Sequence, residues 1–472
     1  MNIALIRPPK ISGAFEKILI QEPINLAYIA AYLKNHKFNV NLWDFEVEKL
    51  SKAILEEKLI KNKIDIVGIT AMTPSINNAH NIASIIKNVN SRIPILIGGP
   101  HISAIPEQTL KEFLNFDLAV TGEGEIPLLE FSRKFSQNFK FPKHIPGIIS
   151  RNPDDNSPQK NTFIENLDQL PFPERAFFKE KLYKNLYIPG INMYKKKPGV
   201  VFSSRGCNDN CTFCAIKNTQ GSKIRFRSAR NVLAEITECK EKFGYNHITF
   251  EDTNFTLDKT RLANICQGLE KLKITWSCQT KVNLVNRDII YMMKKSGCIK
   301  IAYGVESGSE RILKLMKKNI TVKQIKDAFS LTHKAKITSC AFFILGSHPD
   351  ETKEDIQKTE QLLHAIKPDI FQMGIICPYP GTEIYNVMKQ ENLISNIDWS
   401  KFNFMHTIPA WSTRHINAHL LIKLQKKIYL KYIFSFNFLF SFLKKLLNPL
   451  EFLHCFKLSL AMINYLLFEN RK

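Results

Sequence analysis

The stretch SSRGCNDNCTFCAIKN, residues 203–218, follows the apolar run VVF at 200–202 and sets Cys207, Cys211 and Cys214 at intervals of four and three residues. Thiols this close on one loop are poorly placed to pair with one another as disulfides. A structural zinc site closes its tetrahedron with four ligands, usually in two separated pairs. No second Cys or His pair follows at suitable spacing. Iron–sulfur ferredoxins use four cysteines. Three thiolates on a cubane leave one iron open, which suits a small chelating molecule.

Downstream of this loop the chain repeats one pattern. HITFEDTNF, ITWSCQTKV, CIKIAYGVESGS, ITSCAFFILGS and DIFQMGIICPYPG are strand-like apolar runs, mostly separated by helical stretches. With VVFS they make six strand–helix units, an incomplete version of the eight-unit barrel, and chemistry is expected at the carboxyl ends of the strands. Polar residues gather at those ends: Glu251, Asp252, Thr253 and Asn254 after the second, Gln279, Thr280 and Lys281 after the third, Glu306, Ser307 and Gly308 after the fourth. Any one carboxylate there could instead be a turn or helix cap. Cys278, Cys298, Cys340 and Cys377 lie in or beside the strands, and buried structural thiols are the ordinary reading. Cys377 is the one singled out as a candidate hydrogen-atom donor or substrate contact.

The C-x3-C-x2-C loop and its surroundings resemble the radical S-adenosylmethionine enzymes. The resemblance implies a 4Fe–4S cluster on Cys207, Cys211 and Cys214, whose open iron takes the amino and carboxylate groups of S-adenosylmethionine. Electron transfer then cleaves the sulfonium and releases a 5′-deoxyadenosyl radical. It further implies that Phe213 flanks the adenine, that Glu251, Asp252 and Asn254 lie in the segment contacting the methionine amino group, and that Glu306 and Ser307 of G-x-E-S-G lie near ribose and substrate. FFILG, ending at Gly346, would pack apolar residues against adenine, although SHPDET follows where relatives show a shorter glycine turn. CPYPGTEIY matches the family's final loop. Arg205, beside the cysteines, is expected to be a solvated loop charge.

The first third alternates in the same way. NIALIR, VNLWDF, IDIVGIT, IPILIGGP and FDLAVTGEGE are compact apolar runs ending in Asp, Thr or Gly, which argues for an open doubly wound parallel sheet. Ligands of such sheets sit beyond the carboxyl ends of the strands, where Thr70, Gly98, Gly99, Gly122 and Glu123 collect. Glycines there let a large flat ligand approach the backbone, or simply make tight turns. No G-x-G-x-x-G follows the first strand, so a nicotinamide dinucleotide is poorly supported. PINLAYIAAYL, DIVGIT, IGGPHISAIPE and VTGEGEIPLLE resemble the cobalamin-binding domain that precedes the barrel in many such enzymes. The resemblance departs from the best-known pattern at KISGAFEK, which lacks the His of Asp-x-His-x-x-Gly. His101 reads as a loop-capping residue.

The expected organisation is therefore α/β: a cobalamin-binding-type Rossmann-like domain over 1–135, a linker over 136–195, a partial (β/α)6 barrel over 196–395 and a helical region over 396–472. The 472-residue chain has net charge +23, 44% hydrophobic residues and ten cysteines. Lysine is spread throughout, so the charge alone does not separate an anionic partner from a lysine-rich proteome. No framework of paired cysteines and no secretory leader pattern is visible, which points to a reducing cytoplasm. The basic, aromatic tail after Trp411 is expected to pack on the barrel or to touch an anionic membrane surface or lipid-like substrate. The resemblance implies a small-molecule substrate, an electron donor such as flavodoxin or ferredoxin, and methylation of unactivated carbon, with ring closure or rearrangement as the alternative. A non-catalytic corrin or redox sensor binding nucleic acid is the competing class, but no helix-turn-helix or RNA-binding signature appears, and nucleic acid is not expected as a partner.

Overall fold

The computed structural model describes residues 1–9, 21–159, 161–179, 182–183, 196–394, 397–403, 409 and 411–434. KISGAFEK and the tail beyond Phe434 lie outside the described residues.

β1 (Asn2–Arg7), β2 (Asn39–Asp44), β3 (Ile66–Thr70), β4 (Ile95–Gly98) and β5 (Leu118–Val120) form a parallel sheet in the order β2-β1-β3-β4-β5. Ile3, Ala4, Leu5 and Ile6 are buried in succession. Helices on both faces, among them Ile24–Asn35, Ile76–Val89 and Glu125–Asn138, account for the continuous apolar runs. The order reverses at β1, and the crevice for a ligand opens at the carboxyl ends beside that reversal.

The stretch read as a linker is partly built into this layer. The helix Glu125–Asn138 crosses the expected boundary at 135, and β6 (Ile148–Ile149) pairs antiparallel with β5. Thr162 bridges Gly122. Weak periodicity hid this order, because scattered apolar anchors such as Ile148, Ile164 and Leu167 hold the segment together with backbone pairing and buried ion pairs.

The chain next enters β7 (Pro198–Val201), then a short antiparallel pair, β8 (Ser204–Arg205) and β9 (Arg225–Phe226), which brackets the cysteine loop. β10 (His247–Phe250), β11 (Thr275–Thr280), β12 (Cys298–Glu306), β13 (Thr338–Leu345) and β14 (Ile370–Ile375) follow. With β7 they form a wholly parallel six-stranded sheet in chain order, the partial barrel expected. Ile248, Phe250, Trp276, Ile301, Tyr303 and Phe343 face outward into the core beneath the helices. By the two-residue period of a strand, His247, Thr249, Ser277 and Lys300 face the opposite side, the lumen.

The helix Ala418–Ile433 closes on the last strand, where Tyr429 Oη accepts a hydrogen bond from Met373 N at 2.8 Å. Among the described residues no helix is long and apolar enough to cross a membrane.

Candidate functional site

Asp252 fixes where the cysteine loop begins. Its Oδ1 accepts from Ser203 N at 2.7 Å and Ser204 N at 3.3 Å, and its Oδ2 accepts from Ser203 Oγ. Both oxygens are thus spent on the chain leading into β8. Gly206 follows with φ +94°, and a Cβ there would stand 2.1 Å from Lys223 O. Asp209, inside the loop, is held by Lys281 Nζ at 2.8 Å and Asn254 Nδ2 at 3.3 Å. Thr212 N donates to Met316 O at 3.1 Å.

On this scaffold Cys207 is buried, Cys211 half-buried and Cys214 exposed. Burial pushes the Cys211 thiol up to about 11, so it waits as a neutral thiol until a metal displaces its proton. Among the described residues no three His, Cys, Asp or Glu side chains converge on one point as they would on a single ion. A four-iron cluster gives each thiolate its own iron and needs no such convergence. The donor set therefore fits a cluster held by one loop.

Around the loop stand the other barrel residues. Lys318 Nζ pairs with Glu306 Oε1 at 2.6 Å and lies 5.8 Å from the Phe213 ring centroid. Glu306 has φ +62° at the strand end. Ser307 is buried, its hydroxyl within 3.2 Å of Thr359 Oγ1. Glu251 accepts from Gln279 Nε2 at 3.0 Å through one oxygen, leaving the other free for an ammonium. Burial pushes its carboxyl up to about 7, against the pull of Lys300 and Gln279. A cation delivered there would restore its ionisation. Gly346 turns at φ +66° against Leu421 and Ile376. Cys377 is buried among Ile376, Ile384 and Tyr385 in the core shared with the first sheet, and burial raises its thiol.

The glycine edge opens on a cavity of about 240 Å³, lined from the first sheet by Thr70, Gly98, Gly99, Gly122 and Glu123. Phe202, Arg205, Thr219 and Gln220 from around the cysteine loop complete its wall. Leu5, Leu96, Val120 and Leu128 make an apolar floor. At Gly99, φ +105°, a Cβ would meet Ala71 O at 2.7 Å. The bare, partly apolar cradle fits a broad ring laid against backbone.

Two residues depart from expectation. Arg205 is not in solvent: its guanidinium pairs with Glu125 at 2.8 Å and Glu123 at 3.4 Å and stands 5.2 Å from the Tyr28 ring centroid. The acidic pair of VTGEGE supplies the partners that one loop viewed alone could not reveal. Glu123 also pairs with Arg225 at 2.8 Å and accepts from Ile164 N at 2.7 Å. His101 caps no loop end; it is fully buried, 3.3 Å from Thr73 Oγ1 and edge-on to Trp399, and burial pushes it down to about 4. Reading the sequence also passed over Lys318 and Arg225, for which the alternation in IRFR was the one visible signal.

Comparison with known proteins agrees with this geometry. The radical SAM superfamily matches residues 201–363 and the B12 binding domain residues 19–132. An uncharacterized methyltransferase of Pyrococcus horikoshii is 31% identical over 440 residues, covering 92% of each chain. The anaerobic magnesium-protoporphyrin IX monomethyl ester cyclase of Rubrivivax gelatinosus is 28% identical over 417 residues, 86% of this chain and 73% of its own. The radical S-adenosylmethionine methyltransferase TsrM of Kitasatospora setae, solved with cobalamin and a [4Fe-4S] cluster, shares the fold with TM-score 0.69 at 16% identity, over 84% of this chain and 79% of that one.

Proposed function

We propose, for a chain that belongs to the radical S-adenosylmethionine superfamily and carries a B12-binding domain, that the enzyme methylates an unactivated carbon of a small molecule. Its cofactors are a 4Fe–4S cluster, S-adenosylmethionine and cobalamin. When bound, the cluster and nucleotide supply a 5′-deoxyadenosyl radical that abstracts hydrogen, and the corrin supplies the methyl group.

One observation carries the reading: the glycine-edged cavity of the first sheet is walled on its other side by Phe202, Arg205, Thr219 and Gln220, next to the cysteine loop. A methyl relay needs its two cofactors to share one chamber, and a cavity on the glycine edge that reaches the residues flanking the cysteine loop supports that reading. In this reading Cys207, Cys211 and Cys214 hold the cluster. Glu251 takes the methionine ammonium, while Phe213, Glu306 and Ser307 position the nucleoside. Asp252 and Asn254 act one step back, holding the cysteine loop through Ser203, Ser204 and Asp209. Thr70, Gly98, Gly99 and Gly122 form the corrin bed. Arg205, neutralised by Glu123 and Glu125, stiffens the wall between the sites. A cytoplasmic flavodoxin or ferredoxin would supply the electron at the exposed Cys214 side of the loop.

The test is anaerobic reconstitution with and without cobalamin, followed by incubation with extract from a strain lacking the enzyme. Methylation predicts 5′-deoxyadenosine and S-adenosylhomocysteine together, both dependent on corrin. Full turnover by corrin-free enzyme would overturn it. Deoxyadenosine without S-adenosylhomocysteine would favour ring closure, the reaction in the name of the Rubrivivax gelatinosus relative.

A further inference from the structure

We propose that Lys300, inside the barrel lumen, binds an oxyanion of the substrate, a carboxylate or a phosphate; the inference rests on the reading of the barrel mouth as the reaction chamber. Lys300 is the third residue of β12, level with Ser277 on β11 and Thr338 on β13. It shares the lumen face with Ala302 and Gly304, whereas Ile301 and Tyr303 between them enter the outer core. Its side chain is buried, at 8% exposure, yet no hydrogen bond or ion pair holds the ammonium among the described residues.

The surroundings do not neutralise it. Glu251 is the carboxylate that acts on it, without closing to an ion pair, and it gives one oxygen to Gln279. The thiols of Cys278 and Cys340 also lie near it, and burial keeps both neutral. His247 lies below with both ring nitrogens engaged, by Thr275 Oγ1 at 3.0 Å and Ser277 Oγ at 3.1 Å. Lys196 closes the floor on Thr275 Oγ1 at 3.0 Å and adds a second positive charge.

Higher on the same face the wall is less tightly covered: Phe342 on β13 is partly exposed while its neighbour Phe343 is buried, and on β14 Gln372 and Gly374 are likewise partly exposed. A small molecule reaching this depth would meet the Lys300 ammonium, which no ion pair holds among the described residues. Burying an ammonium without a partner is costly, and a chain retains such a cost where a ligand repays it. Lysine's four-carbon stem lets the charge follow the anion rather than fix its angle. Glu251 is taken by the methionine ammonium in the reading above, so the substrate is left as the counter-ion.

The experiment uses the full reconstituted chain and reads binding, so it stands apart from whether methyl transfer occurs. Lys300 is labelled by an uncharged amine-acylating reagent and quantified by peptide mass spectrometry, with acetate or inorganic phosphate against chloride at equal ionic strength. Occupancy should slow labelling by the factor 1 + [L]/Kd, roughly tenfold at ten times Kd, and the effective anion identifies the group. In parallel, Lys300→Met should melt higher than the natural chain and lose the anion-induced rise in Tm, while Lys300→Arg keeps it. Labelling unaffected by either anion, or a Lys300→Met protein that melts lower, would overturn the proposal by showing that the lysine serves only Glu251.

Discussion

Glu351 is wholly buried beside the SHPDET turn and makes no ion pair among the described residues, with Arg311 acting on it only weakly from a distance. One oxygen accepts from Ser347 N at 2.9 Å and the other has no partner. Burial pushes its carboxyl up to about 8. The folded chain therefore holds a proton that the unfolded chain releases near the ordinary glutamate value. Stability is full below that value and falls as pH rises toward about 8, at roughly 1.4 kcal/mol per pH unit from this group. Denaturant titrations from pH 5 to 8 should show that slope in the natural chain and lose it in Glu351→Gln; parallel curves would refute the assignment. Gly99 makes a second case at this scale. Its left-handed backbone and the 2.7 Å approach of a Cβ to Ala71 O leave no room for a side chain. Gly99→Ala should cost about 1–3 kcal/mol and lower the corrin bound per chain while iron content stays unchanged. Undiminished corrin would remove Gly99 from the bed.

At the scale of elements, the short β8–β9 pair decides whether the three thiols are presented together. Gly206→Ala would drive a methyl group into Lys223 O and part the two strands. The expected outcome is the reverse of Gly99→Ala: iron and sulfide fall and corrin is retained, as metal analysis and visible spectra would show. Equal loss of both cofactors would mean that the loop and the first sheet fail as one. These elements were unevenly legible in the sequence. The strands of the first layer stood out because parallel strands covered on both faces are apolar along their whole length, as in ILIG, and those of the barrel because one face feeds the core, as Phe343 and Leu345 do in FFIL. The cysteine loop stood out because its chemistry is local. Arg205 was misread because its partners lie 80 residues away in VTGEGE, and nothing in SSRG announces them. The connector was legible only as a linker, because Thr162 and Arg175 act through long-range pairing that local sequence does not show. Lys300 passed unnoticed because a single lysine in a strand reads as solvent-facing until the barrel closes around it.

The whole molecule is joined by a buried charge network rather than by apolar contact alone. Glu22, just ahead of the first helix, accepts from Tyr245 Oη at 2.6 Å and pairs with Arg175 of the connector at 3.4 Å. Arg175 pairs with Glu235 of the barrel helix Ala229–Phe243 at 2.6 Å and donates to Val200 O at 2.6 Å. Arg227 pairs with the other oxygen of Glu235 and reaches Tyr28 of the first layer at 3.0 Å. Two carboxylates, with Glu235 shared, thus balance two guanidiniums where the two sheets meet, beside the cavity whose wall both supply. Replacing a whole buried network by apolar residues can be neutral, but removing one partner leaves charge stranded and costs about 3–5 kcal/mol. Glu235→Gln strands Arg227 and leaves Arg175 with Glu22 alone, at 3.4 Å. Calorimetry should find the first sheet and the barrel melting as separate transitions in this variant, where the natural chain melts as one. Corrin should dissociate faster than the cluster is lost, because the cavity needs both walls and the cysteine loop needs only the barrel. A single transition at the natural temperature with corrin retained would show that the apolar interface around Trp399 and Phe402 fixes the two layers without the network.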